Sequence, residues 1–581
     1  MKILWFSPYA AVWDWRYQEF IIQKFLKNQN HEIQTIDCSN ALIKNCNAIN
    51  AHHVEYSKNN YKSRMICNRC VSNKNFLNNK LSIKNHDLNK LVSEKDKQKT
   101  KKILQKVNKK NIIDYKYKGL PIGKIAMFEI ILEFKKSDLS LSNLEFNKLM
   151  NNLENCINSI WAFEKISDQF KPDLVITYNG SYAINNLFLK FFEQKKATPY
   201  LIIGSTNNSE RFSNIHLFKK SYFDSILEIK ENWKKLKHIP FNKYQATSVI
   251  NHLKTLFFST TSHTFSHSIK NNYIDVRKYF KINKNQKIIL VSMSSYDEVL
   301  SAYLLYTKKT LGGIFKNQID WIEKIIKIFE NKKNYFIIFR PHPREFSKKN
   351  ENEYTKKIKK IFSSLPKNMC VNYPEDKISI HNLGMETSLL LNAWSSAGED
   401  LGMLGIPTIS ISKDFMNYPS DIDFYENNQK KYFEKILIIL KKDNWSIERL
   451  KYFYRFKSLM FHKSTINLSK FMPKNYYIFR FIKAIDKISL LLGLPSIIKY
   501  YSHNLNKSNN DRELNRFLTT IIKKLSSPIN IQPGYSSKHK YKKESSKDIN
   551  YIIEEIKNLL FSSNESKKTL LFKKFTENLK K

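Results

Sequence analysis

Short apolar runs that end at proline, glycine or small polar residues recur along this chain, and they constrain its fold more than any other feature. In chain order the runs are Lys2–Pro8, Glu32–Ile36, Pro172–Tyr178, Pro199–Ile203, Lys287–Ser292, Tyr335–Arg340, Met369–Asn372, Ser388–Ala393 and Thr408–Ser412. Segments of helical length separate most of them, which is the spacing of βαβ units with parallel strands. A polar connection over residues 259–286 interrupts the series, which then starts again at Lys287. We therefore expect two α/β domains in tandem, each with its own sheet.

The segments outside this pattern set the expected domain limits. We predict two Rossmann-like domains with a helical C-terminal extension. The first domain is expected over residues 1–265, with a cysteine- and lysine-rich insertion at about 40–120, and the second over residues 280–445. A helical return segment over residues 446–505 and a basic tail, helical or mobile, over residues 506–581 complete the prediction.

Composition excludes two classes of protein. With 42% hydrophobic and 13% aromatic residues, the chain is too apolar to be largely disordered. No apolar run reaches the roughly 20 residues that a membrane-spanning helix needs. The N-terminus has no apolar segment and cleavage site typical of a signal peptide, so we expect a cytoplasmic protein.

The formal net charge of +46 has two explanations. Lysine supplies nearly all of the positive charge, and lysine, asparagine and isoleucine share AT-rich codons, so genome composition alone could produce it. Attraction to an anionic partner such as a membrane surface, a nucleotide or an acidic glycan is the functional explanation. The scarcity of arginine disfavours sequence-specific nucleic-acid recognition.

Four of the six cysteines lie close together in the sequence: Cys38, Cys46, Cys67 and Cys70. Cys67 and Cys70 have the CxxC spacing of a zinc knuckle, in which two thiolates share one tetrahedral metal ion. The other two cysteines lack that spacing. A speculative structural zinc site and ordinary free thiols therefore both remain open.

The segment Trp394–Ile409 combines a strand end, small hydroxyl residues and a helix start. Ser395 and Ser396 offer hydroxyl donors, Gly398 permits close approach, and Glu399 and Asp400 can accept hydrogen bonds from a ribose or a sugar. A helix N-terminus at this place would also present open N–H groups to a phosphate. A simple capping box from Ser396 to Glu399 is the structural alternative.

A second motif, Phe336–Glu345, places Arg-Pro-His-Pro at the end of a strand. Its two prolines make the turn rigid, so that His342 projects from the carboxyl end of a parallel strand, where ligands bind in open α/β sheets. Arg340 and Arg344 could neutralise the charge of a ligand there. Ser292 and Ser294, after an earlier strand, are further candidates for contact with a phosphate.

Together the two motifs resemble the nucleotide-sugar-binding elements of GT-B glycosyltransferases, in particular capsule polysaccharide biosynthesis proteins and their relatives among sialyltransferases, Kdo transferases and CDP-glycerol polymerases. The resemblance covers about residues 170–420. It implies a donor site in the second domain, where His342 faces the donor phosphate and acts in catalysis.

The tryptophan-rich residues Ala10–Arg16 are predicted to be the loop after the first strand, followed by a helix over Tyr17–Leu26. In GT-B glycosyltransferases the first loop of the N-terminal domain faces the acceptor. This resemblance makes Asp14 the candidate general base and Trp13 and Trp15 candidates for stacking on sugar rings. Asn179 and Ser205, which follow two later strands, are the other acceptor-binding candidates.

We expect a glycosyltransferase that builds a capsule- or lipopolysaccharide-type glycan from a nucleotide-sugar donor, without a catalytic cofactor or metal ion. The acceptor is expected to be a glycan or a lipid-linked glycan. The region after Asn444, with Tyr452, Tyr454 and Phe456, could contact an anionic membrane at the inner face of the cell. Phosphoglycerol transfer on the same fold and a non-catalytic membrane- or RNA-associated protein are the alternatives.

Overall fold

The computed structural model describes residues 1–54, 59–211, 213–258, 266–269, 273–306, 313–346, 352–412, 417–442, 444–462, 465–473, 476–504, 546–561, 563–564 and 566–579. The strands are β1 (Lys2–Phe6), β2 (Glu32–Asp37), β3 (Lys84–Asp87), β4 (Leu174–Tyr178), β5 (Thr198–Gly204), β6 (Asn214–Lys219), β7 (Lys287–Ser292), β8 (Tyr335–Arg340), β9 (Met369–Val371), β10 (Thr387–Asn392), β11 (Thr408–Ser410), β12 (Phe424–Tyr425) and β13 (Thr465–Asn467).

The helices are α1 (Trp13–Asn28), α2 (Asn47–Ala51), α3 (Asn60–Leu81), α4 (Leu88–Leu91), α5 (Glu94–Leu104), α6 (Ile122–Glu133), α7 (Asn143–Gln169), α8 (Ala183–Gln194), α9 (Tyr222–Leu236), α10 (Lys243–Phe257), α11 (Val276–Tyr279), α12 (Tyr296–Tyr306), α13 (Gln318–Phe329), α14 (Glu353–Phe362), α15 (Ile380–Glu386), α16 (Ala397–Gly402), α17 (Gln429–Lys441), α18 (Ile447–His462), α19 (Tyr476–Leu491), α20 (Ile497–Asn504), α21 (Ser546–Leu560) and α22 (Leu570–Leu579). Among the described residues, no helix is both long and apolar enough to cross a bilayer.

The first sheet has the order β13-β6-β5-β4-β1-β2-β3. Strands β5, β4, β1, β2 and β3 are parallel to one another, whereas β6 pairs antiparallel with both β5 and the edge strand β13. Strands β1, β4 and β5 are rich in apolar residues because helices cover both faces of the sheet. The strand order changes direction between β1 and β4, which creates a crevice at the carboxyl ends of these two strands.

The second sheet has the order β12-β11-β10-β7-β8-β9 and is parallel throughout. In strand order this is 3-2-1-4-5-6 read from β9, the arrangement of a Rossmann fold. Its switch point lies between β7 and β10. The predicted fold class, two Rossmann-like domains in one α/β chain, is confirmed.

Some local expectations were wrong. The tryptophan-rich segment after β1 was expected to be a loop up to Arg16, but α1 begins at Trp13. The stretch at about 40–120 was expected to be an insertion, yet it supplies β3, which pairs with β2 in the first sheet.

The C-terminal part of the chain packs on both domains. Helices α18, α21 and α22 belong to the core of the second domain, together with α9 and α10 from the middle of the chain. Helices α19 and α20 pack instead on the first domain, where Phe479 and Ile498 join the core around Trp13. Residues 505–545, which include the whole first half of the predicted tail, lie outside the described residues.

The two domains meet along α6 and α12. Leu300 on α12 is buried in the core of the first domain. Beside it, Nζ of Lys135 lies 2.9 Å from a carboxylate oxygen of Asp297, and Asn352 donates a hydrogen bond to the Lys135 carbonyl. The domains are therefore joined by both apolar packing and a buried ion pair.

Candidate active site

A pocket lies at the switch point of the second sheet, and we call it the switch-point pocket. It is lined by Leu256, Ser266, Ser292, Met293, Arg340, Pro341, His342, Pro343, Ile380, His381, Ser395, Ser396, Ala397 and Asp400. These residues come mainly from the carboxyl ends of β7, β8 and β10 and from the start of α15. The sequence motifs predicted six of these side chains as donor-binding residues: Ser292, Arg340, His342, Ser395, Ser396 and Asp400.

His342 follows β8 in the rigid turn between Pro341 and Pro343. Burial lowers the pKa of His342 to about 4, and Arg340 and Lys135 act in the same direction, whereas Asp297 opposes them. The imidazole is therefore neutral at physiological pH and can act as a hydrogen-bond donor or acceptor. A bound anion would favour its protonation.

Arg340 is the cation in the pocket wall. Its guanidinium donates hydrogen bonds to the side chain of Asn372 and, over 3.1 Å, to the carbonyl of Ile378. Burial lowers the pKa of Arg340 to about 10, with Asp376 opposing, so the side chain stays charged. A buried guanidinium held in this way is a preorganised partner for a phosphate.

The turn after β10 is fixed by Asn392. This residue accepts a hydrogen bond from the N–H of Ser395 and donates one to the carbonyl of Ser395, both over 3.1 Å. Ser395 Oγ accepts from the N–H of Ala397, while the exposed Ser396 hydroxyl makes no cap bond. The capping box from Ser396 to Glu399 is thus not formed, which leaves the Ser396 hydroxyl at the pocket.

Helix α16 itself has less to offer a ligand than the sequence suggested. It is only six residues long, and the N–H groups from Ala397 to Asp400 already bond to oxygen atoms of Ser395 or Ser396. The expected open N–H groups are therefore absent from these four positions. Contact with a phosphate at this place falls to the serine hydroxyls and to Arg340.

Asp400, one turn further along α16, lines the same pocket. Burial raises the pKa of Asp400 to about 7. Its carboxyl group therefore changes protonation state near neutral pH. It is placed to accept or donate a hydrogen bond to a hydroxyl of a ligand.

Four predicted donor-binding residues have other roles. Ser294 Oγ accepts a hydrogen bond from the N–H of Trp394, and the Ser294 N–H bonds to Gln318. Arg344 pairs with Glu298 and, over 3.0 Å, with Asp297. Both side chains are engaged by other protein groups, and neither lines the switch-point pocket.

Gly398 and Glu399 serve packing. A Cβ atom at Gly398 would lie 2.4 Å from the Tyr418 hydroxyl and 2.5 Å from Asn392 Nδ2, so glycine is required by protein neighbours and not by a ligand. Glu399 forms a buried ion pair with Lys457 of α18. Both were expected to bind the donor, and both instead hold α16 against its surroundings.

His381 lines the pocket without having been predicted. Its side chain is fully buried beside Arg340, and burial lowers the pKa of His381 to about 3. Nδ1 lies 3.2 Å from the Ser379 hydroxyl, while Nε2 finds no hydrogen-bond partner among the described residues. No sequence motif marks this residue, because a single histidine in a polar segment matches none.

On the acceptor side, Trp13 and Ser205 are misassigned. Trp13 is only 2% exposed, and its ring stacks on Tyr501 at 5.5 Å and lies 5.8 Å from the ring of Phe479. Ser205 is completely buried, with Oγ accepting from the N–H of Asn207. Neither side chain can face an acceptor.

Asp14, Trp15 and Asn179 do come together at the switch point of the first sheet. The Trp15 ring stacks on Tyr178, the last residue of β4, with 5.0 Å between the ring centroids. Asn179 follows directly, in a left-handed conformation with φ of 51°. Burial raises the pKa of Asp14, opposed by Lys483 and Arg211, and Asp14 Oδ1 has no hydrogen-bond partner within the described ranges.

The four clustered cysteines do not form the predicted zinc knuckle. Cys67 and Cys70 lie within α3, one turn apart, and not in a turn between strands. Burial raises the pKa of all four thiols, which also interact electrostatically with one another. In the part of the chain that the structure describes, no group of three or more His, Cys, Asp or Glu side chains is arranged to hold a metal ion.

No protein-family model matches this chain, and no curated protein matches it. The chain is similar to several solved structures. A KpsC β-Kdo 2,4 transferase of Thermosulfurimonas dismutans is 10% identical, over 49% of this chain and 79% of that one, with a TM-score of 0.32. A UDP-GlcNAc 2-epimerase of Neisseria meningitidis bound to UDP-GlcNAc is 10% identical, over 79% and 97%, with a TM-score of 0.27.

The spinosyn rhamnosyltransferase SpnG, complexed with thymidine diphosphate, is 7% identical over 83% of this chain and 99% of that one, with a TM-score of 0.26. These neighbours are proteins of the GT-B fold, which consists of two Rossmann-like domains. The strand orders of the two sheets show two Rossmann-like domains in this chain independently of these neighbours. Similarity this low identifies no function. The side chains of the switch-point pocket are the better guide to it.

Proposed function

We propose that this chain is a glycosyltransferase that moves a sugar from a nucleotide-activated donor to a growing surface glycan of the capsule or lipopolysaccharide type. One observation carries the proposal. At the switch point of a fully parallel sheet, the switch-point pocket combines a fixed guanidinium, a neutral imidazole and a pair of serine hydroxyls. That set suits the phosphates of a nucleotide, and Asp400 suits a hydroxyl of the ribose or sugar.

In the proposed reaction an acceptor oxygen attacks the anomeric carbon of the donor sugar, and the bond from that carbon to the phosphate oxygen breaks. Negative charge develops on the departing nucleoside phosphate. Arg340 stabilises this charge, and His342 donates a hydrogen bond to the same group. Protein groups thus take the place of a divalent metal ion at the leaving group.

Asp14 is the proposed general base. Its raised pKa brings the carboxylate closer to the range in which it can take a proton from the acceptor hydroxyl. Trp15 and Asn179 lie in the same crevice of the first domain and are the proposed acceptor contacts. Closure of the two domains would bring the donor and acceptor together and exclude water.

Calorimetric titration with UDP-, CMP- and GDP-sugars and with CDP-glycerol tests the proposal. We expect one class of nucleotide-sugar to bind, and His342→Ala to weaken that binding by about 100-fold, since a buried hydrogen bond to a charged group is lost. His238→Ala, in the turn after α9, is the control and should bind normally.

Binding of CDP-glycerol alone would shift the assignment to phosphoglycerol transfer. Failure of every donor to bind, together with salt-sensitive binding of RNA, would rule out both transferases. Equal donor affinity of the wild type and His342→Ala would leave the enzyme class open but refute the assigned site.

A further inference from the structure

The outward face of α19 carries several of the exposed large apolar side chains among the residues that the structure describes. Exposed large apolar side chains lie along one side of this helix and its C-terminal turn: Tyr477, Ile478, Phe481, Ile485, Ile488, Leu491, Leu492 and Leu494. Phe481 and Leu492 are 67% and 66% exposed. We call this surface the α19 face. Such a contiguous apolar patch on a folded protein marks an interaction site.

The opposite side of α19 is firmly packed. Phe479 and Ile482 are buried in the core of the first domain. Asp486, the only acidic residue of the helix, pairs with Arg69 at 3.3 Å and accepts hydrogen bonds from Ser496 Oγ and the N–H of Ile497. The helix is therefore fixed in register, and its apolar face points outward as part of the folded structure.

Basic residues border the α19 face. Arg480, Lys483 and Lys487 are exposed and recur at spacings of three and four residues, so that they form one flank of the helix. Because Asp486 is buried, no acidic side chain of α19 balances them at the surface. An amphipathic helix with an apolar face and a cationic flank is typical of segments that lie in the interface of an anionic bilayer.

Of the three α18 residues expected to contact a membrane, Tyr452 is half-buried, and the other two do not fit that role. Tyr454 and Phe456 on α18 are almost completely buried in the core of the second domain. The exposed apolar side chains of this region that could contact a membrane lie on α19. Two copies of the chain could instead bury their α19 faces against each other. That arrangement would bring two sets of exposed cations close together, which disfavours a symmetric dimer.

We propose that the α19 face docks on an anionic lipid bilayer, with its apolar side chains at the boundary between headgroups and acyl chains. Lys483, Lys487 and Arg480 would then lie at the level of the lipid phosphates. The +46 net charge of the whole chain adds long-range attraction to the same surface.

Docking has a consequence for the substrate, which rests on the proposed function. Phe479 of α19 contacts Trp13, and Lys483 lies close enough to Asp14 to lower its pKa. The docked helix thus adjoins the proposed acceptor crevice. The acceptor that fits this placement is a glycan attached to a lipid in the same membrane.

Co-sedimentation of the full-length protein with vesicles tests the docking. We expect binding to vesicles of phosphatidylcholine with phosphatidylglycerol, and about tenfold weaker binding to phosphatidylcholine alone or at high salt. The double variant F481S/I488S should bind the anionic vesicles at least about tenfold more weakly, because two inserted apolar side chains are lost.

The matched control is L227S/I438S, which removes two exposed apolar side chains at 44% and 51% exposure on α9 and α17. It should bind vesicles like the wild type. Equal losses in both double variants, or no binding of the wild type to anionic vesicles, would overturn the proposal. Self-association of the wild type that F481S/I488S abolishes, without vesicle binding, would assign the face to a second copy.

Donor titration of F481S/I488S separates this inference from the proposed function. The variant should bind nucleotide-sugar with wild-type affinity, since α19 is not part of the switch-point pocket. If the wild type docks on vesicles and yet binds no donor, the proposed function fails while the docking stands.

Discussion

The two switch points of this molecule are built on the same strand order, yet they contain different side chains. The crevice between β7 and β10 is open and polar, with Arg340, His342 and Ser396 at its wall. The crevice between β1 and β4 is crowded with rings, among them Trp15, Tyr178 and Tyr182. One topology has thus produced a preformed anion pocket in the second domain and an aromatic surface in the first.

These different side chains indicate where each half of a substrate can be recognised. A phosphate needs fixed charge and hydrogen-bond donors that cost little reorganisation, and the second domain provides both. Sugar rings and uncharged acceptors gain more from aromatic faces and from a carboxylate such as Asp14. Four predictions, in order of decreasing effect, test this division of roles between the two crevices.

The first concerns the two neighbouring tryptophans of the first crevice. Trp13→Ala should lower the free energy of unfolding by about 3–5 kcal/mol, because it removes a buried indole from the core. Trp15→Ala, which removes a half-buried ring, should lower the free energy of unfolding, measured in urea, by clearly less. Equal losses would show that Trp15 is also a core residue and not an available ring.

The second concerns Asp14. If this carboxylate is the base, Asp14→Asn should lower kcat about 100-fold while leaving the donor dissociation constant unchanged. Turnover assays combined with calorimetry would check both quantities. A variant with normal kcat would remove Asp14 from the mechanism. A variant that binds the donor more weakly would show that donor binding also depends on the first crevice.

The third uses the titration of Asp400. Its pKa is raised from the ordinary 3.8 to about 7, so between these values the folded protein binds more protons than the unfolded chain. Stability is therefore lost as the pH rises through this window. The full shift corresponds to about 4 kcal/mol, and partial exposure of the carboxyl group reduces its effect. Asp400→Asn should therefore remove the loss and become more stable than the wild type by about 2–4 kcal/mol above the window.

Urea unfolding across the pH range would measure this difference. Below the ordinary pKa of the carboxyl group the two proteins should be equally stable. A difference that does not depend on pH would mean that Asp400 does not titrate as described.

The fourth concerns the ion pair between the domains. Lys135→Met should reduce the free energy of unfolding by only about 1 kcal/mol, since Arg344 still pairs with Asp297. Lys136→Met is a close control, because the neighbouring Lys136 pairs with Glu145 within the first domain. Small-angle scattering should show greater interdomain freedom in Lys135→Met alone; identical scattering of both variants would contradict a role in domain docking.

The sequence predicted the strands that are apolar along their whole length, and with them both Rossmann-like domains. It missed β3, whose residues Lys84–Asp87 are polar, because an edge strand need not be apolar on either face. It also placed the start of α1 too late, since a tryptophan-rich segment resembles a loop. Burial against α19 and α20, far away in the sequence, is what stabilises that first helical turn.

In the switch-point pocket, residues at strand ends were predictable because parallel strands bring their carboxyl ends to one edge. The sequence could not predict two ion pairs, because in each of them the partners are remote from each other along the chain. These are Arg344 with Asp297 and Glu399 with Lys457. His381 was missed for a related reason. Only the fold shows that the start of α15 reaches the wall of this pocket.

The pairing of β13 with β6 has a consequence for the synthesis of the protein. Thr465 and Ile466 lie opposite His216 and Ile215, so the last strand of the first sheet comes from the far side of the second domain. A ribosome has to make more than two hundred further residues after β6 before that edge can be covered. During this interval β6 presents an unpaired edge, and a chain stalled or truncated before β13 would be prone to strand-to-strand aggregation.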